Sequence, residues 1–96
     1  MNALKTQHDA QSLALNALEW IAGQDNLLHV FLGSTGLVVD DLKRDASDPE
    51  LLASVVDFLL MDDGWVIGFA ASAGISPEDI WRARANLPGG DVPNWT

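Results

Sequence analysis

Residues 13–44 align without a gap onto residues 51–82 at a constant offset of 38. Seven pairs are identical: Leu13 with Leu51, Asp25 with Asp63, Phe31 with Phe69, Ser34 with Ser72, Gly36 with Gly74, Asp41 with Asp79, and Arg44 with Arg82. Conservative pairs fill in around them, including Glu19 with Asp57, Trp20 with Phe58, Leu28 with Val66 and Leu42 with Ile80. Self-similarity of this kind implies one supersecondary unit used twice, each copy too small to bury its apolar face alone.

The periodicity inside each copy is helical. Ala10, Leu13, Ala14, Ala17, Leu18 and Ile21 recur on one 3.6-residue stripe, with Asp9, Ser12, Asn16 and Glu19 opposite. This predicts a first helix from about Thr6 to just before Gly23. A second, shorter helix is expected to be capped by Asp25 and to end near Gly36, and a third to span roughly 39–46. In the second copy, Asp48-Pro49-Glu50 supplies a cap, a proline at the first helical position and an acid at the positive end of the dipole. Asp63 opens the next helix and Gly74 closes it. Ser76-Pro77-Glu78-Asp79 starts the last one.

The fold class that follows is all-α: a compact bundle of about six short helices built from two tandem three-helix, helix-turn-helix-like repeats. Residues 1–96 form a single domain with a flexible tail at 88–96, where two prolines and two glycines precede Trp95. Helices 4 and 5 are expected at the centre, because residues 64–75 carry no charge and residues 51–61 carry only Asp57. The line Gly64, Gly68, Ser72 invites close approach of another helix, within the chain or across a homodimer.

Charge narrows the functions available. Five basic against fourteen acidic residues give a net charge of −9, which repels phosphate backbones and anionic lipid over about a Debye length and attracts basic surfaces. The absence of cysteine removes disulfides and thiolate metal sites. No apolar run follows Lys5 to make a secretory signal, so the expected location is cytoplasmic. The uncharged stretch at 64–75 is shorter than the roughly 20 residues a membrane span requires, so no membrane association is expected.

Each copy reads as helix, glycine turn, helix, a pattern that resembles a helix-turn-helix. In a DNA reader the second helix offers donors near its N-terminus, yet those positions hold Asp40 and Asp41 in one copy and Glu78 and Asp79 in the other. Only Lys43, Arg44, Arg82 and Arg84 stand on these helices to meet phosphates, and Arg44 and Arg82 lie three residues after Asp41 and Asp79, at ion-pair spacing. Nucleic acid is therefore disfavoured. The acids at 40–50 and 62–63 lack the alternate-oxygen spacing, the sixth-position glycine and the twelfth-position glutamate of a calcium loop. No metal or other cofactor is expected.

Catalytic signals are missing. His29 aligns with Ile67 and reads as a partly buried packing residue; Ser34 and Ser72 have no triad context; the glycines at 33 and 36 lack the lysine and hydroxyl of a phosphate loop. Glu19 and Asp57 pair across the repeat but read as solvent-facing. Trp20 and Trp65 fall on core stripes, whereas Trp81 aligns with Lys43 and reads as exposed, and Trp95 stands near the end. Exposed aromatics mark interfaces. The residues bring the reading to a non-enzymatic, acidic protein-interaction module that engages a basic partner or self-associates, with Asp40, Asp41, Glu78, Asp79, Trp81 and Trp95 as contact residues. The alternative is a nucleic-acid-associated regulator of helix-turn-helix type.

Four stretches carry a family resemblance: Leu15-Asn-Ala-Leu-Glu-Trp-Ile-Ala22, Phe31-Leu-Gly-Ser-Thr-Gly-Leu37, Val55-Val-Asp-Phe-Leu-Leu-Met-Asp-Asp63, and the run from Gly74 through Ile-Ser-Pro-Glu-Asp-Ile-Trp-Arg to Gly90. In these the chain resembles a small bacterial family known as domain of unknown function 3572. The resemblance implies a compact helical protein and brings no activity, cofactor or catalytic residue with it.

Overall fold

A computed structural model describes residues 7–90 and places them in six helices: α1 (Gln7–Ala22), α2 (Leu27–Thr35), α3 (Val39–Asp45), α4 (Pro49–Leu59), α5 (Asp63–Ala73) and α6 (Pro77–Ala85). The described residues contain no strand. The protein is all-α, and its Cα radius of gyration of 12.8 Å is that of a compact chain of this length.

Local chemistry sets the helix ends. Asp48 accepts the Glu50 N–H and Asp62 accepts the Trp65 N–H, while Ser76 accepts the Glu78 N–H, so α4, α5 and α6 each begin on a side-chain cap. Both α2 and α5 close on a left-handed glycine, Gly36 at φ 79° and Gly74 at φ 71°, a conformation that a Cβ would strain. These two ends, and the starts of α3 and α6, lie 38 residues apart.

One cap differs from expectation. Asp25 does not cap α2; the N-cap is Asn26, in the left-handed region at φ 56° and with no side-chain bond. Asn is among the few residues that adopt this conformation readily. The Gly23–Asn26 turn is held instead by backbone bonds from Gly23 to Glu19 and Trp20, and from Gln24 to Ile21.

α1 and α4 form the centre. Their stripes, Ala10, Leu13, Ala14, Ala17, Leu18 and Ile21 against Leu51, Leu52, Val55, Val56, Phe58 and Leu59, make most of the core, and α6 closes over both with Ile80 and Ala83. The expectation that α5 is central is corrected. It buries Val66, Phe69 and Ala70 but turns Ile67 to solvent. A helix without charge beyond its first residue, Asp63, is not thereby a covered one, because burial depends on which neighbours arrive. His29, the counterpart of Ile67, is likewise exposed rather than partly buried.

Aromatic rings join the layers. Phe31 of α2 meets Phe58 of α4 edge to face at 5.3 Å, Phe58 stacks on Trp65 at 4.7 Å, and Trp20 of α1 meets Phe69 of α5 at 6.0 Å. A Cβ built on Gly68 would lie 3.0 Å from Trp20 Cζ2. At this point the small-residue line receives the Trp20 ring.

Candidate functional site

The N-termini of α3 and α6 hold four of the six residues that the sequence suggests as contacts. In α3, the Asp41 carboxylate accepts the Val38 backbone N–H at 2.9 Å and Arg44 Nη2 at 2.7 Å. Arg44 also reaches Asp45 at 3.2 Å. The bond from the Val38 amide, and then that from Arg44, hold the Asp41 carboxyl below its ordinary value; Asp41, then Asp45, raise Arg44 above its own. In α6, Asp79 accepts the Ser76 N–H at 3.1 Å and Arg82 Nη1 at 2.8 Å. Both carboxylates are thus committed to helix starts and to an arginine one turn on.

Asp40 and Glu78 stand differently. Both are exposed, and Glu78 meets Arg82 only at 3.7 Å. Trp81 follows on the outer side of α6 with 61% of its surface open, and it joins no ring contact among the described residues. Trp95 lies outside the described residues. α3 and α6 are not a closely packed pair, so the candidate residues fall into two groups, Asp40 with Asp41 and Glu78 with Asp79 and Trp81.

The cations proposed for a helix-turn-helix contact are mostly spent. Arg44 and Arg82 pair with Asp41 and Asp79, and Arg84 pairs with Asp57 at 2.6 Å. Of the lysines and arginines among the described residues, Lys43 alone makes no ion pair. The Asp57–Arg84 pair is not anticipated from the sequence, where Arg84 has no assigned partner; Asp57 is solvent-facing as expected and still takes the pairing. No local spacing connects residues 27 apart.

The remaining chemistry is sparse. Glu19, His29, Ser34 and Ser72 are all exposed, and no serine–histidine bond or group of three metal-ligating side chains occurs among the described residues. No helix there is long and apolar enough to cross a membrane. Other exposed large apolar side chains are Leu15, Val30, Val38, Val39, Met61 and Ile67.

Residues 7–90 match the family described as Protein of unknown function (DUF3572), and the chain belongs to that family. No curated protein and no solved structure matches the chain.

Proposed function

We propose that the protein is a non-enzymatic interaction module that binds a basic protein partner through the outer face of α6. The observation carrying this reading is the exposure of Trp81: an indole open to solvent on a well-capped helix is the kind of anchor that dominates binding energy when a partner covers it. The net charge of −9 supports a cationic partner over a second copy, because two copies would repel while a basic surface would be steered in. The same charge, with Arg44, Arg82 and Arg84 neutralised internally, weighs against nucleic acid.

The test is affinity capture of the tagged protein from its own cell extract, with and without nuclease, comparing wild type with Trp81→Ala. A partner that resists nuclease and is lost with Trp81→Ala supports the module. Loss of every partner on nuclease treatment would turn the reading to nucleic acid, and self-association alone would turn it to a homodimer.

A further inference from the structure

The outer face of α6 carries more than an apolar anchor. Glu78 lies three residues before Trp81, which on a helix puts the two side chains side by side on one surface. Its side chain is 79% exposed, and its own arginine serves it poorly: Arg82 makes its short bond to Asp79 at 2.8 Å and reaches Glu78 only at 3.7 Å. Ala85, four residues beyond Trp81, is exposed and short, so nothing large of the same helix follows the indole on that side. On the other flank, Arg84 is turned into bonds with Asp57 and the Pro88 carbonyl, and its charge is already compensated.

An open indole face beside an under-compensated carboxylate is the pair of groups that receives an organic cation: the ring attracts it through its quadrupole, and the carboxylate neutralises and orients it. A guanidinium suits the pair better than an ammonium, since its plane stacks on the ring while its edge donates to the carboxylate. We infer that Trp81 and Glu78 form a receptor for an arginine side chain on a basic segment of the partner, an inference that rests on the interaction reading above. Charge complementarity selects this occupant, for the chain is acidic overall and its α6 arginines are held by Asp79 and Asp57.

The experiment titrates the whole chain with a short acetylated, amidated peptide of alternating arginine and serine, and with its lysine counterpart. Calorimetry gives the affinity, and the Trp81 indole N–H resonance, assigned with Trp81→Phe, gives the site. Expected is binding that shifts this resonance, favours arginine over lysine, and weakens roughly five- to tenfold in Trp81→Leu. Glu78→Gln weakens it about two- to fivefold, while Glu19→Gln, the same charge change at an exposed acid on α1, changes it less than about twofold. Equal losses in Glu78→Gln and Glu19→Gln with none in Trp81→Leu mean diffuse attraction and overturn the inference. So does an unshifted indole resonance, or no binding at all. Capture of a partner that requires Trp81 but tolerates Glu78→Gln would overturn the arginine receptor and leave the interaction module standing. Trp81→Leu and Glu78→Gln alter exposed side chains, and unchanged circular dichroism of each verifies the fold.

Discussion

The carboxylate of Asp57 on α4 accepts two bonds from the guanidinium of Arg84 on α6, Nε to Oδ1 at 2.6 Å and Nη2 to Oδ2 at 3.2 Å, while Nη1 donates to the Pro88 carbonyl at 2.8 Å. One side chain therefore ties a central helix to α6 and to the turn that follows it. The two partners are unequal, since the Arg84 side chain is 20% exposed and that of Asp57 is 57% exposed. A mostly solvated carboxylate gains little from its pairing, whereas the arginine also satisfies a part-buried carbonyl and packs its stem.

Arg84→Met is accordingly expected to cost about 1–2 kcal/mol and Asp57→Asn less than about 1 kcal/mol. Urea unfolding at constant m-value measures both. Equal losses would mean that the ion pair alone, and not the carbonyl, carries the contact. A charge-reversal test of nucleic-acid binding at Arg84 would break this tie, so Arg82 and Lys43 are the positions for such a test.

The turn after α6 makes a second demand. A Cβ on Gly90 would lie 2.0 Å from the Arg84 carbonyl oxygen and 2.8 Å from the Ala85 Cα, backbone atoms that cannot swing aside. Gly90→Ala is expected to displace the turn, weaken the bond from the Gly90 N–H to the Leu87 carbonyl, and destabilise the fold by about 1–3 kcal/mol through loosened packing of the buried Leu87. The contrast is Gly33→Ala inside α2, where a Cβ meets nothing within 4 Å. That change should be neutral or stabilising by up to about 1 kcal/mol. Thermal unfolding of both variants, with amide exchange at Gly90, decides the point.

The two capping boxes differ by one atom group. At α6 the Ser76 hydroxyl accepts the Glu78 N–H while Asp79 accepts the Ser76 N–H; at α3 Asp41 accepts the Val38 N–H but Val38 has no acceptor to return. Ser76→Ala should therefore cost about 1 kcal/mol. Val38→Ser should stabilise by about 0.5–1 kcal/mol, since it completes the box and removes an exposed apolar side chain. Paired urea curves measure the two shifts, and a destabilised Val38→Ser would show that Val38 packs where it stands.

What could be read from the sequence was what local chemistry decides. Gly36 and Gly74 closed their helices, Pro49 and Pro77 opened theirs, and the spacing of Asp41 to Arg44 and Asp79 to Arg82 gave the ion pairs, because each depends on residues within a turn. The exposure of Trp81 was legible from its alignment with Lys43. The place of α5 was not, since lack of charge leaves open how many neighbours cover a helix, and His29 and Ile67 failed on the same ground. Nor were the left-handed Asn26 and the Asp57–Arg84 contact, the one a choice of backbone region, the other a pairing made only by folding.

Acid should weaken the start of α3 in a way that one variant isolates. The Val38 amide, and then Arg44, hold the Asp41 carboxyl below its ordinary value of 3.8, so the folded protein prefers the ionised form more strongly than the unfolded chain does. A carboxyl lowered on folding contributes stability that is fully present above its unfolded value and is lost as pH falls through its folded value. Asp41→Asn can still accept from the Val38 amide but has no charge for Arg44. Its deficit against wild type should therefore be constant near neutral pH and shrink once pH drops below the ordinary carboxylate range. Urea midpoints of both proteins, taken in steps from neutral pH down to about 3, give the difference with the background titration of the other acids largely cancelled. A deficit that persists unchanged to the acid end would mean that Asp41 acts as a neutral acceptor and that its charge contributes nothing to the fold.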